Sequence, residues 1–320
     1  MSSKIFYLAK QESANSNHFN GKFVPEEEAL VPVTTHALHY GTGNYEGIRA
    51  YYSEEKKALL IFRAEDHFKR MVESTKIMHI KLPGSPEELS KITAELLSKN
   101  FTETDVYIRP LAYKADPAIG NFNLDKLADG FAMYCIPLGR HYGEKNGLKA
   151  NISSWVRVSN KAIPPRGKIT GAYANTCLAK TESAGLGYDE AFFLDQDGYV
   201  VEGSAENLFI VKEGKILTPP SSADILVGIT RDTIMQIVKK EFNLEVEEKN
   251  ISLEELKNAD EIFVCGTGSE IAGVVEVEGE IIGSGKTGEW TEKIIRLYSD
   301  IVHGKNDKYK DWLTYVTRNT

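Results

Sequence analysis

The chain has 320 residues, of which 42% are hydrophobic and 26% are charged, and it carries a formal net charge of −8. This composition is typical of a globular protein with one large or two medium-sized domains. The negative charge argues against nucleic acid and anionic membrane surfaces as partners, and no stretch approaches the ~18 apolar residues that a membrane span requires.

Short strands and two helices are predicted for the first part of the chain. The strand patterns are KIFYLA, HFNGKFVP with a turn at Asn20-Gly21, and ALLIFR. Apolar residues recur at helical spacing in RAEDHFKRMVESTKIM, and Ser85 with the proline and glutamates that follow it begins a second helix. Two more strands are predicted in DVYIRPLAYKA and GFAMYCIPL.

A polar, glycine-rich segment, residues 139–149, is the predicted interdomain loop between an N-terminal domain, 1–138, and a C-terminal domain, 150–320. Two hairpins follow it, the first with its turn at Asp197-Gly198. A helix is predicted in GITRDTIMQIVKKEF, a capping box opens another in SLEELKNA, and DEIFVCG is a buried strand. Because strands and helices do not alternate strictly, we predict an α+β fold with two domains.

The three cysteines, Cys135, Cys177 and Cys265, lie far apart in apolar or small-residue surroundings. An odd number of this kind is typical of buried thiols in a reducing compartment. The first residues of the chain show no signal-type apolar core. We therefore expect a cytoplasmic protein whose cysteines are buried.

The motif GSGKT near the C-terminus suggests an alternative, a nucleotide-binding protein. A phosphate-binding loop of that type requires a glycine five positions before Gly285, where this chain has Glu280. The preceding VVEVEGEII is typical of a hairpin, so this is the weaker hypothesis. The histidines form no ligand-spaced set with carboxylates, and we predict no metal site.

One lysine is unusual because of its neighbours. Lys168 lies between Gly167 and Gly171, after Pro164-Pro165 and before a helix that begins with small residues. Small neighbours would let a flat ring approach, and partial desolvation would help the amine to lose its proton, as a Schiff-base lysine requires. An ordinary solvated turn lysine is the competing interpretation.

Three other features fit a cofactor with a pyridine ring and a phosphate. Glu202, at the end of a hairpin strand, is a carboxylate that would keep a pyridine nitrogen protonated. Ile229 and Thr230 open a helix whose amides and dipole favour a phosphate. The turn CGTGSE offers Thr267 and the Gly268 amide to another oxyanion. Ordinary capping explains each feature alone, whereas together with the lysine they predict pyridoxal 5′-phosphate (PLP).

The order of the motifs resembles that of the branched-chain amino acid aminotransferases, which are class IV, D-amino-acid-transaminase-like PLP enzymes. The motifs are HALHYGTGNYEGIRAY, YIRPL, the glycine-flanked lysine, EGSAENLF, GITRD and GTGSEI. The resemblance runs from Phe19 to Gly283, and HYGTxxxEGIR with YIRP points to the branched-chain group. It implies PLP fold type IV, with a small N-terminal α/β domain and a larger C-terminal domain that has a β-barrel-like core.

The resemblance also implies roles for single residues. Lys168 is the implied catalytic residue, which would form the Schiff base and shuttle the proton. Glu202 would face the pyridine nitrogen and Tyr173 the phenolic oxygen. The implied phosphate ligands are Arg70, Ile229, Thr230 and Thr267. The implied substrate-binding residues are Tyr45 with Tyr52 for the apolar side chain, Tyr107, Thr267 and Gly268 for the α-carboxylate, and Arg109 with Tyr40 of the partner subunit for the distal carboxylate of glutamate or 2-oxoglutarate.

The implied reaction moves the amino group of L-leucine, L-isoleucine or L-valine to 2-oxoglutarate by a ping-pong cycle. The implied assembly is a homo-oligomer, a dimer at least, with a hexamer as the larger alternative. Many family members have phenylalanine in place of Tyr45 and an aromatic in place of Leu138, and His141 or Tyr142 takes the place of the family's loop tyrosine. These departures leave a D-amino-acid transaminase, an (R)-amine transaminase and aminodeoxychorismate lyase as alternatives of the same fold.

Overall fold

The computed structural model describes residues 4–139 and 147–318. Within these ranges the helices are α1 (His36–Tyr40), α2 (Ala64–Ile77), α3 (Pro86–Lys99), α4 (Tyr173–Gly185), α5 (Ile229–Phe242), α6 (Leu253–Lys257) and α7 (Glu289–Val302). The strands are β1 (Ile5–Gln11), β2 (Phe19–Pro25), β3 (Gly43–Tyr45), β4 (Ile48–Ser53), β5 (Ala58–Phe62), β6 (Val106–Lys114), β7 (Asp129–Pro137), β8 (Leu148–Ile152), β9 (Glu190–Leu194), β10 (Val200–Gly203), β11 (Asn207–Lys212), β12 (Lys215–Thr218), β13 (Glu247–Glu248), β14 (Glu261–Gly266), β15 (Glu270–Val277), β16 (Glu280–Ile281) and β17 (Leu313–Val316). None of these helices is long and apolar enough to cross a membrane.

The chain divides into two compact units. The described residues of the first unit are 4–139, 167–171 and 301–318, and those of the second are 147–166 and 172–300. The predicted division into 1–138 and 150–320 differs from this one because two later segments belong to the first unit. Strand β17 pairs with β5, and Ile169 forms a β-bridge with Asn44.

The first unit is built on an eight-stranded antiparallel sheet. Its strand order is β17-β5-β4-β6-β7-β1-β2, and β3 pairs with β6. Along β6, buried and half-buried residues alternate, as expected of a strand with one face on the core. Helices α2 and α3 contribute Phe68, Met71, Leu89 and Leu96 to this core. The predicted start of α3 is confirmed, since the Ser85 side chain accepts a hydrogen bond in a capping box.

The second unit contains a closed barrel of six strands. Their order is β10-β9-β8-β15-β14-β11, and a further pairing of β10 with β11 closes the ring. Strand β8 runs parallel to both of its neighbours, whereas the other pairs are antiparallel. Phe192, Leu208, Ile210 and Val264 are among the buried core residues. The predicted α+β class and the barrel-like core are confirmed.

The predicted turn at Asn20-Gly21 is wrong. Both residues lie inside β2 and pair with β1. Gly21 serves a close approach instead, because a side chain at this position would overlap with the Tyr7 hydroxyl on the neighbouring strand. An Asn-Gly pair is a turn signal only where the flanking strands reverse, and here the reversal lies in residues 12–18.

Leu148 and Lys149, which were predicted to lie in the interdomain loop at 139–149, belong to β8. The reason is the burial of Leu148, which is part of the core of the second unit, whereas Lys149 is exposed. The candidate loop residues His141 and Tyr142 lie outside the described residues.

The prediction of buried cysteines is wrong for Cys177 and confirmed for the other two. Cys177 is exposed on α4, whose buried positions are Ala179 and Ser183. Two residues along a helix correspond to a rotation of about 200°, which places Cys177 on the opposite face. The residues around Cys177 in α4 are small or of mixed polarity, so the sequence did not show which face of the helix is buried.

Candidate active site

Lys168 lies on a short segment that is bound to the chain after α1. Asn44 Nδ2 donates to the Gly167 carbonyl at 2.6 Å, and Thr170 Oγ1 donates to the Gly41 carbonyl at 2.8 Å. Lys168 has a φ angle of 42°, a left-handed conformation that is uncommon for a residue other than glycine. Strain of this kind persists only where surrounding contacts enforce it, and it is concentrated at functional sites.

Two cationic side chains lie over the ring of Tyr45. Lys168 Nζ is 4.7 Å from the ring centroid, and Arg109 Cζ is 4.3 Å from it. Arg109 also donates through Nη2 to the Tyr107 hydroxyl at 3.0 Å. Tyr107 and Arg109 are alternate residues of β6 and therefore share one face of the sheet. The structure thus brings together four of the predicted site residues within the first unit.

Arg109 has aromatic neighbours instead of an acidic partner. Among residues 4–139 and 147–318, no aspartate or glutamate forms an ion pair with it. Its Nε is buried without a hydrogen-bond partner within the same ranges. A half-buried cation with an unused donor is a favourable partner for an incoming carboxylate.

The predicted phosphate ligand Arg70, on α2, is paired with a carboxylate that the sequence analysis missed. Arg70 Nε donates to Glu46 Oε1 at 2.8 Å, and its Nη2 donates to Glu46 Oε2 at 2.7 Å. His67, one turn earlier on α2, also contacts Glu46 Oε2, through Nδ1 at 2.8 Å. Glu46 belongs to the motif GNYEGIR that was used to identify the family, so its presence in a motif was the available signal.

Tyr40 contacts a different part of the first unit. Its hydroxyl accepts a hydrogen bond from the Gly120 amide at 3.1 Å, and its ring packs edge-on against Phe122. Its ring also lies beside His36 and His39 of α1. About a third of Tyr40 remains exposed, at 37%. These contacts place Tyr40 beside α1 and residues 120–122 of the first unit.

In the second unit, Glu202 is buried near the end of β10. Arg157 Nη2 lies 2.7 Å from Glu202 Oε1, and the Leu226 amide donates to Oε2 at 3.2 Å. Asn207 lies opposite Glu202 on β11 and donates to Oε2 at 3.5 Å. Sequence reasoning missed Arg157, because nothing in its local pattern points to a partner so distant in the chain. These contacts favour an ionised Glu202.

The predicted phosphate seat at the start of α5 is a helix N-terminus without a side-chain cap. Ile229 and Thr230 are its first residues, and the N-cap, Gly228, makes no side-chain bond. Asn207 Oδ1 accepts a hydrogen bond from the Gly228 amide at 3.1 Å, and a side chain at Gly228 would overlap with Asn207. A 14-residue helix that begins this way is a suitable anion site.

The remaining predicted residues of the second unit lie at element ends. Thr267 and Gly268 form the turn after β14, and a Cβ atom at Gly268 would meet no atom within 4 Å. Tyr173 is the first residue of α4. Backbone that is open in this way lets a ligand approach closely.

The model of the family described as Amino-transferase class IV matches residues 43–277 of this chain. A protein of Aquifex aeolicus (strain VF5) named probable branched-chain-amino-acid aminotransferase is 43% identical over 309 residues, which cover 97% of this chain and 99% of that one. This chain belongs to the branched-chain-amino-acid aminotransferases of class IV. The resemblance expected from the motifs is thereby confirmed.

Solved structures of other branched-chain aminotransferases agree with this membership. The enzyme of Thermoproteus uzoniensis, crystallised with norvaline, matches with a TM-score of 0.90 at 40% identity and covers 98% of this chain and 99% of its own. The enzyme of Thermobaculum terrenum, solved in its PLP-form, matches with a TM-score of 0.87 at 32% identity and covers 98% of this chain and 98% of its own. These matches confirm PLP fold type IV.

PLP is the cofactor of this aminotransferase. The donor sets described above suit it, because the buried Glu202 carboxylate matches a pyridinium nitrogen and the uncapped start of α5 matches a phosphate. Lys168 supplies the primary amine that the cofactor's aldehyde requires. The nucleotide-binding alternative at Gly285 has no comparable support, since the motif follows β16, a two-residue strand of a hairpin.

Proposed function

We propose that this enzyme transfers the amino group of branched-chain L-amino acids (L-leucine, L-isoleucine and L-valine) to 2-oxoglutarate in a ping-pong cycle. The observation that supports this most directly is the setting of Arg109, a half-buried cation surrounded by tyrosines and without an acidic partner among the described residues. One pocket must accept an apolar side chain in one half-reaction and a carboxylate in the other. Aromatic rings offer contact to the former, and a guanidinium binds the latter.

The amine of Lys168 is the group proposed to take a proton from the substrate Cα and to return it. PLP supplies the electron sink for this step when it is bound. The Tyr45 ring lies beside Lys168 Nζ, with 4.7 Å between Nζ and the ring centroid, and shields one side of the amine from water. Glu202, held ionised by Arg157, is proposed to keep the proton on the pyridine nitrogen.

The other predicted contacts remain part of this proposal. Tyr173 is proposed to bind the phenolic oxygen of the cofactor. Phosphate binding is assigned to Arg70, Ile229, Thr230 and Thr267, and substrate binding to Tyr45, Tyr107, Thr267, Gly268, Arg109 and Tyr40 of the partner subunit.

We also propose a homo-oligomer, at least a dimer, located in the cytoplasm. The first unit exposes a set of large apolar side chains near Tyr40, among them Leu30 (79% exposed), Val33 (78%), Leu38 (66%) and Phe122 (72%). Several large apolar side chains exposed on one unit are a feature that a protein interface would explain. Light scattering of the purified enzyme is expected to give a mass of at least twice 35.7 kDa, and a monomer at micromolar concentration would contradict this part.

The test of the substrate assignment compares the two half-reactions in the Arg109→Gln variant. L-leucine is expected to bleach the visible band of the bound cofactor at a rate within a few-fold of the wild-type rate. The KM for 2-oxoglutarate in the second half-reaction, in which it accepts the amino group, is expected to rise by roughly 30- to 150-fold. The reason is that a charge-assisted hydrogen bond contributes about 2–3 kcal/mol, which corresponds to roughly this factor.

The control is Arg109→Lys, which keeps the charge but loses the planar, two-pronged geometry of the guanidinium. Its KM for 2-oxoglutarate should lie between that of the wild type and that of Arg109→Gln. An equal loss in both half-reactions of Arg109→Gln would show that Arg109 does not select the dicarboxylate. Faster bleaching of the wild-type enzyme by D-alanine than by L-leucine would overturn the substrate class.

A further inference from the structure

Glu46 is a carboxylate with no exposed surface, placed directly after Tyr45 in the chain. Burial alone would raise its pKa, but the Arg70 charge and the His67 hydrogen bond hold the pKa of this carboxyl well below its ordinary range. Glu46 is therefore ionised at neutral pH. A charge buried this deeply must be matched by its neighbours, and Arg70 is the cation in direct contact with it.

His67 contributes a hydrogen bond to this group without adding a charge. Its side chain is 2% exposed, and burial lowers the pKa of its imidazole below the ordinary value, opposed by Glu46. The neutral ring then donates from Nδ1 to the ionised Glu46. Glu46 is thus held from two sides, and its position is set by the rigid turn of α2 that carries both partners.

The pair between Glu46 and Arg70 is side-on, because it uses Nε and one terminal nitrogen of the guanidinium. Of the five N–H groups of an arginine, this pair uses the one on Nε and one on Nη2. Arg70 also keeps 13% of its side chain exposed, unlike Glu46. The carboxylate therefore fixes the plane of a guanidinium that is itself partly exposed.

A purely structural ion pair in the same unit looks different. Lys114 and Asp129 are 2.8 Å apart, and their side chains are 1% and 3% exposed. Lys114 also donates to the carbonyl of His79, so this ammonium is enclosed by backbone and acid. Lys114 is thus enclosed in the core, whereas Arg70 is held by its carboxylate at the border of the core, where part of its side chain is exposed.

We propose that Glu46 is a positioning residue that holds Arg70 in the orientation required to bind the phosphate of PLP. This inference rests on the proposed role of Arg70 in phosphate binding. Glu46 has two opposing effects on Arg70. Its negative charge weakens the attraction between Arg70 and an anion. Its two hydrogen bonds restrain the orientation of the Arg70 side chain, which is otherwise flexible. The side-on geometry with two bonds and a third support from His67 indicates that orientation outweighs charge.

The experiment measures the affinity of the full-length enzyme, freed of cofactor, for PLP and for pyridoxal, which lacks the phosphate. In Glu46→Gln, PLP is expected to bind about 10-fold more weakly or worse, as for the loss of one charge-assisted bond, while pyridoxal affinity stays within two-fold. Unchanged or tighter PLP binding in this variant would overturn the proposal, since it would show that charge dominates.

Arg70→Lys provides a second test that leaves the Glu46 side chain and a positive charge opposite it in place. It keeps the charge but cannot form the side-on pair, so PLP affinity should again fall about 10-fold, and an unchanged affinity would contradict the positioning role. Asp129→Asn is the matched control, expected to lower thermal stability and to leave the PLP affinity of the folded protein unchanged. If Arg70→Gln binds PLP as the wild type does, the phosphate role of Arg70 itself is wrong, which is a separate failure.

Discussion

Gly41, which ends α1, is expected to be the glycine of the first unit that least tolerates a side chain. Its φ angle is 63°, and a Cβ atom would lie 2.6 Å from the Gly171 Cα atom. Alanine in this left-handed conformation costs about 1–2 kcal/mol, and inserting a methyl group against backbone adds about 1–3 kcal/mol. The Gly41→Ala variant should therefore lose roughly 2–5 kcal/mol of unfolding free energy, the sum of these two costs.

Gly120→Ala is the matched control in the same unit. Gly120 has a φ angle of 81°, and a Cβ atom there would meet nothing within 4 Å. Only the conformational cost of about 1–2 kcal/mol applies. Urea unfolding followed by far-UV circular dichroism measures both variants, and losses that agree within about 0.5 kcal/mol would refute the reasoning from close approach.

The same substitution should also affect turnover, because the Gly41 carbonyl accepts hydrogen bonds from the Gly171 amide at 3.1 Å and from Thr170 Oγ1 at 2.8 Å. These bonds anchor the segment that carries Lys168. Displacing that segment by an ångström is expected to lower kcat by about 100-fold. A Gly41→Ala enzyme with destabilised folding but wild-type kcat at low temperature would show that the anchor is not needed for catalysis.

Three other predictions concern buried polar groups and thiols. Burial lowers the pKa of His67, so the unfolded chain binds a proton at this residue at a pH at which the folded chain does not. The melting temperature of the cofactor-free enzyme should therefore fall as the pH drops below about 6.5, the ordinary pKa of histidine. The His67→Gln variant should show a weaker dependence of the melting temperature on pH. Asn44→Ala removes the bond to the Gly167 carbonyl and should cost about 1–3 kcal/mol in thermal or urea unfolding, with kcat reduced more than KM is raised; an unchanged kcat would contradict the second part. A thiol reagent should modify Cys177 alone under native conditions, since it is the exposed one of the three cysteines, and mass spectrometry of peptides would detect any other site.

Much of the candidate site follows from local rules that a sequence displays directly. A hairpin turn was predicted at Asp197-Gly198, and Gly198 has a φ angle of 86°. The helix start at Ile229, the capping boxes and the glycine-flanked lysine are equally local signals. Each depends on a few neighbouring residues, so no knowledge of the chain path was needed.

The partners of the predicted residues depend on contacts between distant parts of the chain. Three contacts join segments whose local sequence patterns do not predict one another. They are Glu46 with Arg70, Arg157 with Glu202, and Asn44 with the Gly167 carbonyl. The same is true of β17, which joins the first sheet. Side-chain charge and spacing limit which partners are chemically suitable, but only the packed backbone selects one of them.

Composition, periodicity and motif order were therefore enough to establish the α+β class, the cofactor and the family of this chain. The tertiary structure decided how the lysine is held, which acid pairs with which arginine, and which tyrosines lie against Arg109. The physical reason is that conformational preferences act over a few residues, whereas the burial of a charge is determined by everything that surrounds it.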